Sequence, residues 1–132
     1  ALLLPQEFLA SEVRSGVRLP QAKGGGLSLF THCTESTGAP AARKDWQAVF
    51  AGIGLEIETP ATGCCGMAGA FGYHAEHFDI SMQMGELELL PAVREQQDDT
   101  LIVAPGTSCR AQILDGTGRV ALHPAEVLHG AM

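Results

Sequence analysis

Apolar and polar positions along the chain fall into runs of alternating helical and extended period. Residues 4–16, LPQEFLASEVRSG, read as a short amphipathic helix with Pro5 near its start and Gly16 past its end. QAKGGG (21–26) is a turn or linker. LSLFTH (27–32) is a short apolar run of the kind that forms a buried strand. Pro40 opens the next helix, AARKDWQAVFAGIG, with Trp46, Val49, Phe50 and Ile53 at helical spacing and Gly52 or Gly54 as its cap. LEIET (55–59) alternates as a second strand, and a glycine-rich loop, TGCCGMAGAFG, follows it. Over residues 74–97 the spacing predicts one long helix. Phe78, Met82, Gly85, Leu89 and Val93 form its stripe, and Pro91 kinks or restarts it. TLIVAPG (100–106) is the clearest buried strand, TSCRAQILDG a short helix, RVALHP (119–124) a last strand and AEVLHGAM a closing helix.

Strands alternating with helices predict an α/β fold: a small parallel sheet of about four strands, Rossmann-like, flanked by helices on both faces. Right-handed crossovers put every carboxyl end on one edge. Residues 1–26 form an N-terminal helix and linker, and residues 27–132 the main unit.

At 132 residues the chain can bury a core as one domain. Its net charge of −7 argues against nucleic acid or an anionic membrane as partner. No apolar run reaches the length of a transmembrane span, and ALLLPQEFLA lacks the basic flank of a signal peptide. The first residue is Ala1, followed directly by apolar sequence, which suggests a fragment of a longer polypeptide. A cytoplasmic setting is expected, with contact to the cytoplasmic face of a membrane compatible with it.

Chemistry enters with the cysteines. There are four: Cys33, the adjacent pair Cys64 and Cys65, and Cys109. Without a secretory signal they point to a reducing compartment and to metal or redox chemistry rather than a disulfide framework. Each follows a predicted strand, so all four fall at the carboxyl edge, where open α/β sheets build their sites. The glycines around the pair free backbone N–H groups to face sulfur, a lever that tunes cluster potentials. Adjacent cysteines suit two different irons, or one metal in a strained loop, better than one tetrahedral zinc. Ordinary core thiols and a strained vicinal disulfide are the competing readings. His32, beside Cys33, and His74, after the pair, are candidate accessory ligands. His123 ends the last predicted strand on the same edge, while His129 reads as solvated and the methionines as packing residues. Ser108 has no identifiable base, and GTGR (116–119) is too short for a phosphate loop.

The segments HCTE, GCCGMAGAFGYHAEH, GTSCRAQI and HPAEVL together resemble the cysteine-rich CCG domain of iron–sulfur oxidoreductases. The resemblance covers about residues 27–130. It is closest to the C-terminal part of FAD/iron–sulfur dehydrogenases of D-2-hydroxy acids, of the D-lactate and D-2-hydroxyglutarate type. It implies that Cys33, Cys64, Cys65 and Cys109 hold an iron–sulfur (4Fe-4S) cluster or a zinc ion. It also implies flavin (FAD) and further iron–sulfur domains upstream in the same polypeptide, with electrons passing to a quinone or other acceptor. The fragment alone is then not catalytic. Electron transfer is the first reading, and a structural zinc domain that docks the dehydrogenase core is the alternative. The family pattern ends in CxxC, and its last cysteine falls at Gln112 here, a departure that leaves four thiolates.

Overall fold

The computed structural model describes residues 2–18, 26–31, 41–60, 62–68 and 70–131. Three parallel strands, β1 (Gly26–Leu29), β2 (Glu56–Glu58) and β3 (Leu101–Val103), lie in the order β2-β1-β3. Leu27 pairs with Ile57 on one side and Leu101 on the other. Around them are six helices among the described residues: α1 (Pro5–Arg14), α2 (Ala42–Gly52), α3 (Phe78–Leu87), α4 (Leu89–Arg94), α5 (Thr107–Thr117) and α6 (Pro124–Ala131). The expected α/β class with a small parallel sheet holds.

Successive strand residues point to opposite faces, and the burial follows that alternation. Leu27, Leu29 and Val103 pack with Ala10 of α1, Trp46, Val49 and Phe50 of α2 and Val127 of α6. Phe30, Ile102 and Ala104 pack on the other face with Leu89 and Val93 of α4 and Ile113 of α5. The sheet is therefore the middle of three layers, with a separate core on each face. An ion pair from Arg14 to Asp45 at 3.1 Å helps hold α1 against α2.

Among the described residues, element positions match the sequence reading except in two places, with a third point that it left open; residues 21–25 of the expected linker and Pro40, expected to open the second helix, lie outside them. The first is the long helix expected over 74–97. Residues 71–77 form two short 3₁₀ turns, α3 begins at Phe78, and the helix breaks at Glu88, where φ is −143° and ψ −49°. Pro91, expected to kink or restart the helix, explains the break. It has no N–H for the Leu87 carbonyl and its ring would clash there, but as the third residue of α4 it needs no intrahelical donor. The buried face of α3 runs through Ser81 and Gly85, and Phe78, expected in the stripe, is exposed.

The second difference is the fourth strand. RVALHP contributes one parallel bridge, Val103 to Leu122, so the sheet has three strands rather than about four. The Leu122 N–H donates to Ile102 O at 2.8 Å, and Leu122 O accepts from the Ala104 N–H at 2.9 Å. Arg119, on one side, gives its guanidinium to four carbonyls, those of Val93, Gln96, Gln97 and Thr100. Pro124, on the other, starts α6. The Arg119 N–H is taken by Thr117 Oγ1 and the His123 N–H by Glu126 Oε1, both at 3.1 Å, so neither flank donates to a longer ladder. Third, the cap of α2 is settled in favour of Gly54, which has a φ of +81°.

Candidate metal centre

Strand order β2-β1-β3 means that the chain crosses from β1 to β2 on one side and then back over β1 to β3. The direction of winding reverses between β1 and β3, and open α/β sheets bind ligands beyond the carboxyl ends at such a point. Cys64 and Cys65 follow the carboxyl end of β2, and Cys109 follows that of β3. Cys33 and His32 lie outside the described residues.

Cys109 is the third residue of α5, after Gly106 at the cap position, and so sits in the turn where helix N–H groups lack intrahelical partners. The loop that delivers it is braced by Arg110. Its Nη1 donates to Ala104 O and Pro105 O, both at 2.8 Å, and its Nη2 to Thr107 Oγ1 at 3.2 Å. The pair is held differently. At Gly66 the backbone has φ +93°, and a Cβ there would lie 2.1 Å from Ser81 O. Only glycine permits that conformation and that approach, so the loop rests directly on the backbone of α3. Met67, buried beside it, accepts a contact from Ser81 Oγ at 3.7 Å.

Adjacent side chains in the pair diverge. Cys65 is buried in the same apolar cluster as Cys109, together with Phe30, Met67 and Ala104. Cys64 is half-buried and lines a shallow cavity of about 160 Å³ with Gly63, Met84, Leu87 and Glu88. Its Sγ accepts a hydrogen bond from the Gly66 N–H at 3.3 Å. Cys64 and Cys65 form no disulfide with each other, so the vicinal disulfide is absent. A metal group suits the chemistry of this set: three thiols at one sheet edge, one already accepting an amide N–H. Among the described residues no three His, Cys, Asp or Glu side chains converge as a complete metal site.

The histidines stand apart from this arrangement. His74 is exposed and meets His77 edge-on, with ring centroids 5.5 Å apart. His77 lies flat on Phe71 at 4.0 Å, and its Nδ1 is hydrogen-bonded to Phe71 O at 3.1 Å. His123 turns Nδ1 to its own helix, accepting the Ala125 N–H at 3.0 Å. His129 is exposed, as expected.

Two residues to which the sequence reading gave no role in the site belong beside it. Ser81 is a buried hydroxyl on α3. Gln112, read in the sequence only as a missing cysteine, is a buried amide whose Nε2 donates to Ser81 O at 3.0 Å and Ser81 Oγ at 3.1 Å. The sequence did carry a signal for both: a small polar residue inside an apolar helix face, and a polar residue one turn beyond Cys109.

Known proteins are similar to the chain over a range that includes this region. The family described as cysteine-rich domain (CCG) matches residues 27–114. D-2-hydroxyglutarate dehydrogenase of Pseudomonas putida is 38% identical over 127 residues. The enzymes of the same name from Escherichia coli and Pantoea ananatis are 38% and 35% identical over 131 and 127 residues. Each similarity takes in 96% of this chain but 12% of the relative, so the chain spans about an eighth of the length of these curated relatives. No solved structure matches.

Proposed function

Because the chain belongs to the family of cysteine-rich CCG domains, and its relatives are long dehydrogenases, we propose that it is the thiolate-bearing electron-transfer part of a flavin-linked oxidoreductase. Cys33, Cys64, Cys65 and Cys109 are the ligands in this reading, and the group they hold is a four-iron cluster. One observation carries it: Cys65 and Cys109, delivered by two different strand-to-helix connections, enter one buried cluster at the carboxyl edge.

Bound there, an iron–sulfur group would supply one-electron chemistry between a flavin and its acceptor. The chain's own residues do the rest. Phe30, Met67, Ala104 and Ile113 exclude water from Cys65 and Cys109. The Gly66 N–H offers a hydrogen bond to the sulfur of Cys64, which stabilises charge on a ligated thiolate. Arg110 fixes the loop that presents Cys109. The upstream parts of the polypeptide hold FAD and further clusters and oxidise a D-2-hydroxy acid. D-2-hydroxyglutarate is the substrate suggested by the names of the relatives. A quinone or similar carrier takes the electrons. Residues 27–132 form the cysteine-rich unit, and residues 1–26 lead into it. No helix among the described residues is long and apolar enough to cross a membrane.

The test is metal and acid-labile sulfide analysis of the intact protein prepared without oxygen, with EPR of the reduced form. Iron and sulfide that fall together with one EPR component in Cys65→Ser support the proposal. A colourless protein holding zinc at these cysteines, with no such component, would assign the domain a structural docking role instead.

A further inference from the structure

Gln112 lies one turn beyond Cys109 on α5 and is buried. A methionine or leucine would fill similar space without burying a polar group. Packing therefore does not account for an amide at this position. What the amide adds is its NH₂ group, and both of the hydrogen bonds from that group go to a single residue, Ser81.

Ser81 is also where the Cys64–Cys65 loop rests. Gly66 stands against the Ser81 carbonyl, and Met67 Sδ accepts from the Ser81 hydroxyl. One turn further along α3, a Cβ on Gly85 would lie 2.9 Å from Cys65 O and 3.4 Å from Gln112 Nε2. The backbone of the pair and the amide of Gln112 thus press on the same turn of α3. A single donor ties the helix that carries Cys109 to the helix that supports Cys65.

We propose that Gln112 is a positioning residue: without being a ligand, it fixes the placement of the adjacent pair relative to Cys109 through Ser81. Its purpose rests on the reading of those cysteines as ligands, but its geometry can be tested with no metal present.

The experiment uses the intact protein carrying Gln112→Met, which keeps side-chain length and removes the donor. Labelling of each cysteine by N-ethylmaleimide is followed in the metal-free protein by peptide mass spectrometry, with half-exposed Cys64 as the internal reference. Cys65 labelling should rise about tenfold relative to Cys64, the equivalent of about 1.4 kcal/mol for the two lost hydrogen bonds together, while the melting temperature stays within a few degrees. Cadmium added alone should bind about tenfold more weakly, read from its thiolate charge-transfer absorption. Unchanged Cys65 labelling in the folded variant overturns the proposal. So does a parallel rise at Cys65 and Cys109 with a lowered melting temperature, which would mark general loosening. A Cys65 effect with no cadmium binding in either protein would leave Gln112 its positioning role and remove the ligand reading. If Gln112→Met does not fold, Ser81→Ala decides. It removes the shared hydroxyl and keeps the carbonyl, so Cys65 labelling should rise about threefold, and an unchanged rate overturns the proposal.

Discussion

At the scale of single residues, Gly66 is the position with least freedom. Its φ of +93° and the 2.1 Å approach of a built Cβ to Ser81 O make Gly66→Ala incompatible with the loop as it stands. The variant should lose more than about 3 kcal/mol in denaturant unfolding, or fold with the loop displaced and Cys65 open to alkylation. His123 offers the opposite expectation. It lies on the carboxyl edge, yet its Nδ1 is committed to the Ala125 N–H. His123→Ala should therefore leave metal content unchanged and cost about 1 kcal/mol, the usual loss for a helix cap. Metal analysis beside a thermal melt checks both halves. The residues hardest to see in the sequence were Ser81 and Gln112. Their importance comes from which helices they join, and nothing in local periodicity says that residues 31 apart will share a hydrogen bond.

At the scale of elements, the connections do more than the strands. Each strand has only three or four residues, and much of the order around them comes from side chains that bind loop carbonyls. Arg119 binds four, closing the end of α4 and the approach to β3. Arg119→Met should keep the apolar stem and lose the charged hydrogen bonds, lowering stability by about 2–3 kcal/mol in chemical denaturation. Arg94 donates to Glu86 across the break between α3 and α4 and to Gly116 O on α5. The hydrogen bond from Arg94 lowers the Glu86 pKa, and its charge adds to the effect. A carboxylate lowered in this way stabilises the fold above its unfolded pKa, and that stabilisation fades as pH falls through the folded value. Arg94→Gln should return Glu86 to the ordinary range in an NMR titration and flatten the acid limb slightly, since both groups are exposed. Element types were legible because the apolar periods were clean. The restart of the helix at Pro91 was legible as well, whereas the shortening of the last strand was not, because Arg119 acts through backbone carbonyls of other turns.

For the whole molecule, the α/β class and the carboxyl-edge placement of Cys64, Cys65 and Cys109 were readable from the alternation of elements. Parallel strands joined by helices leave few other places for residues that follow a strand. What alternation does not supply is the divergence of the pair, one thiol in the core and one facing a shallow cavity, which depends on the close approach of Gly66 to α3. The chain spans about an eighth of the length of its dehydrogenase relatives, so the electron-transfer role proposed for it is one task within a longer polypeptide. The most direct measurement is the metal content and EPR spectrum of the intact protein, prepared without oxygen, across serine variants at Cys33, Cys64, Cys65 and Cys109. The account predicts that all four variants lose the same metal and the same spectral component. Parent-level metal and an unaltered spectrum in Cys109→Ser would contradict it.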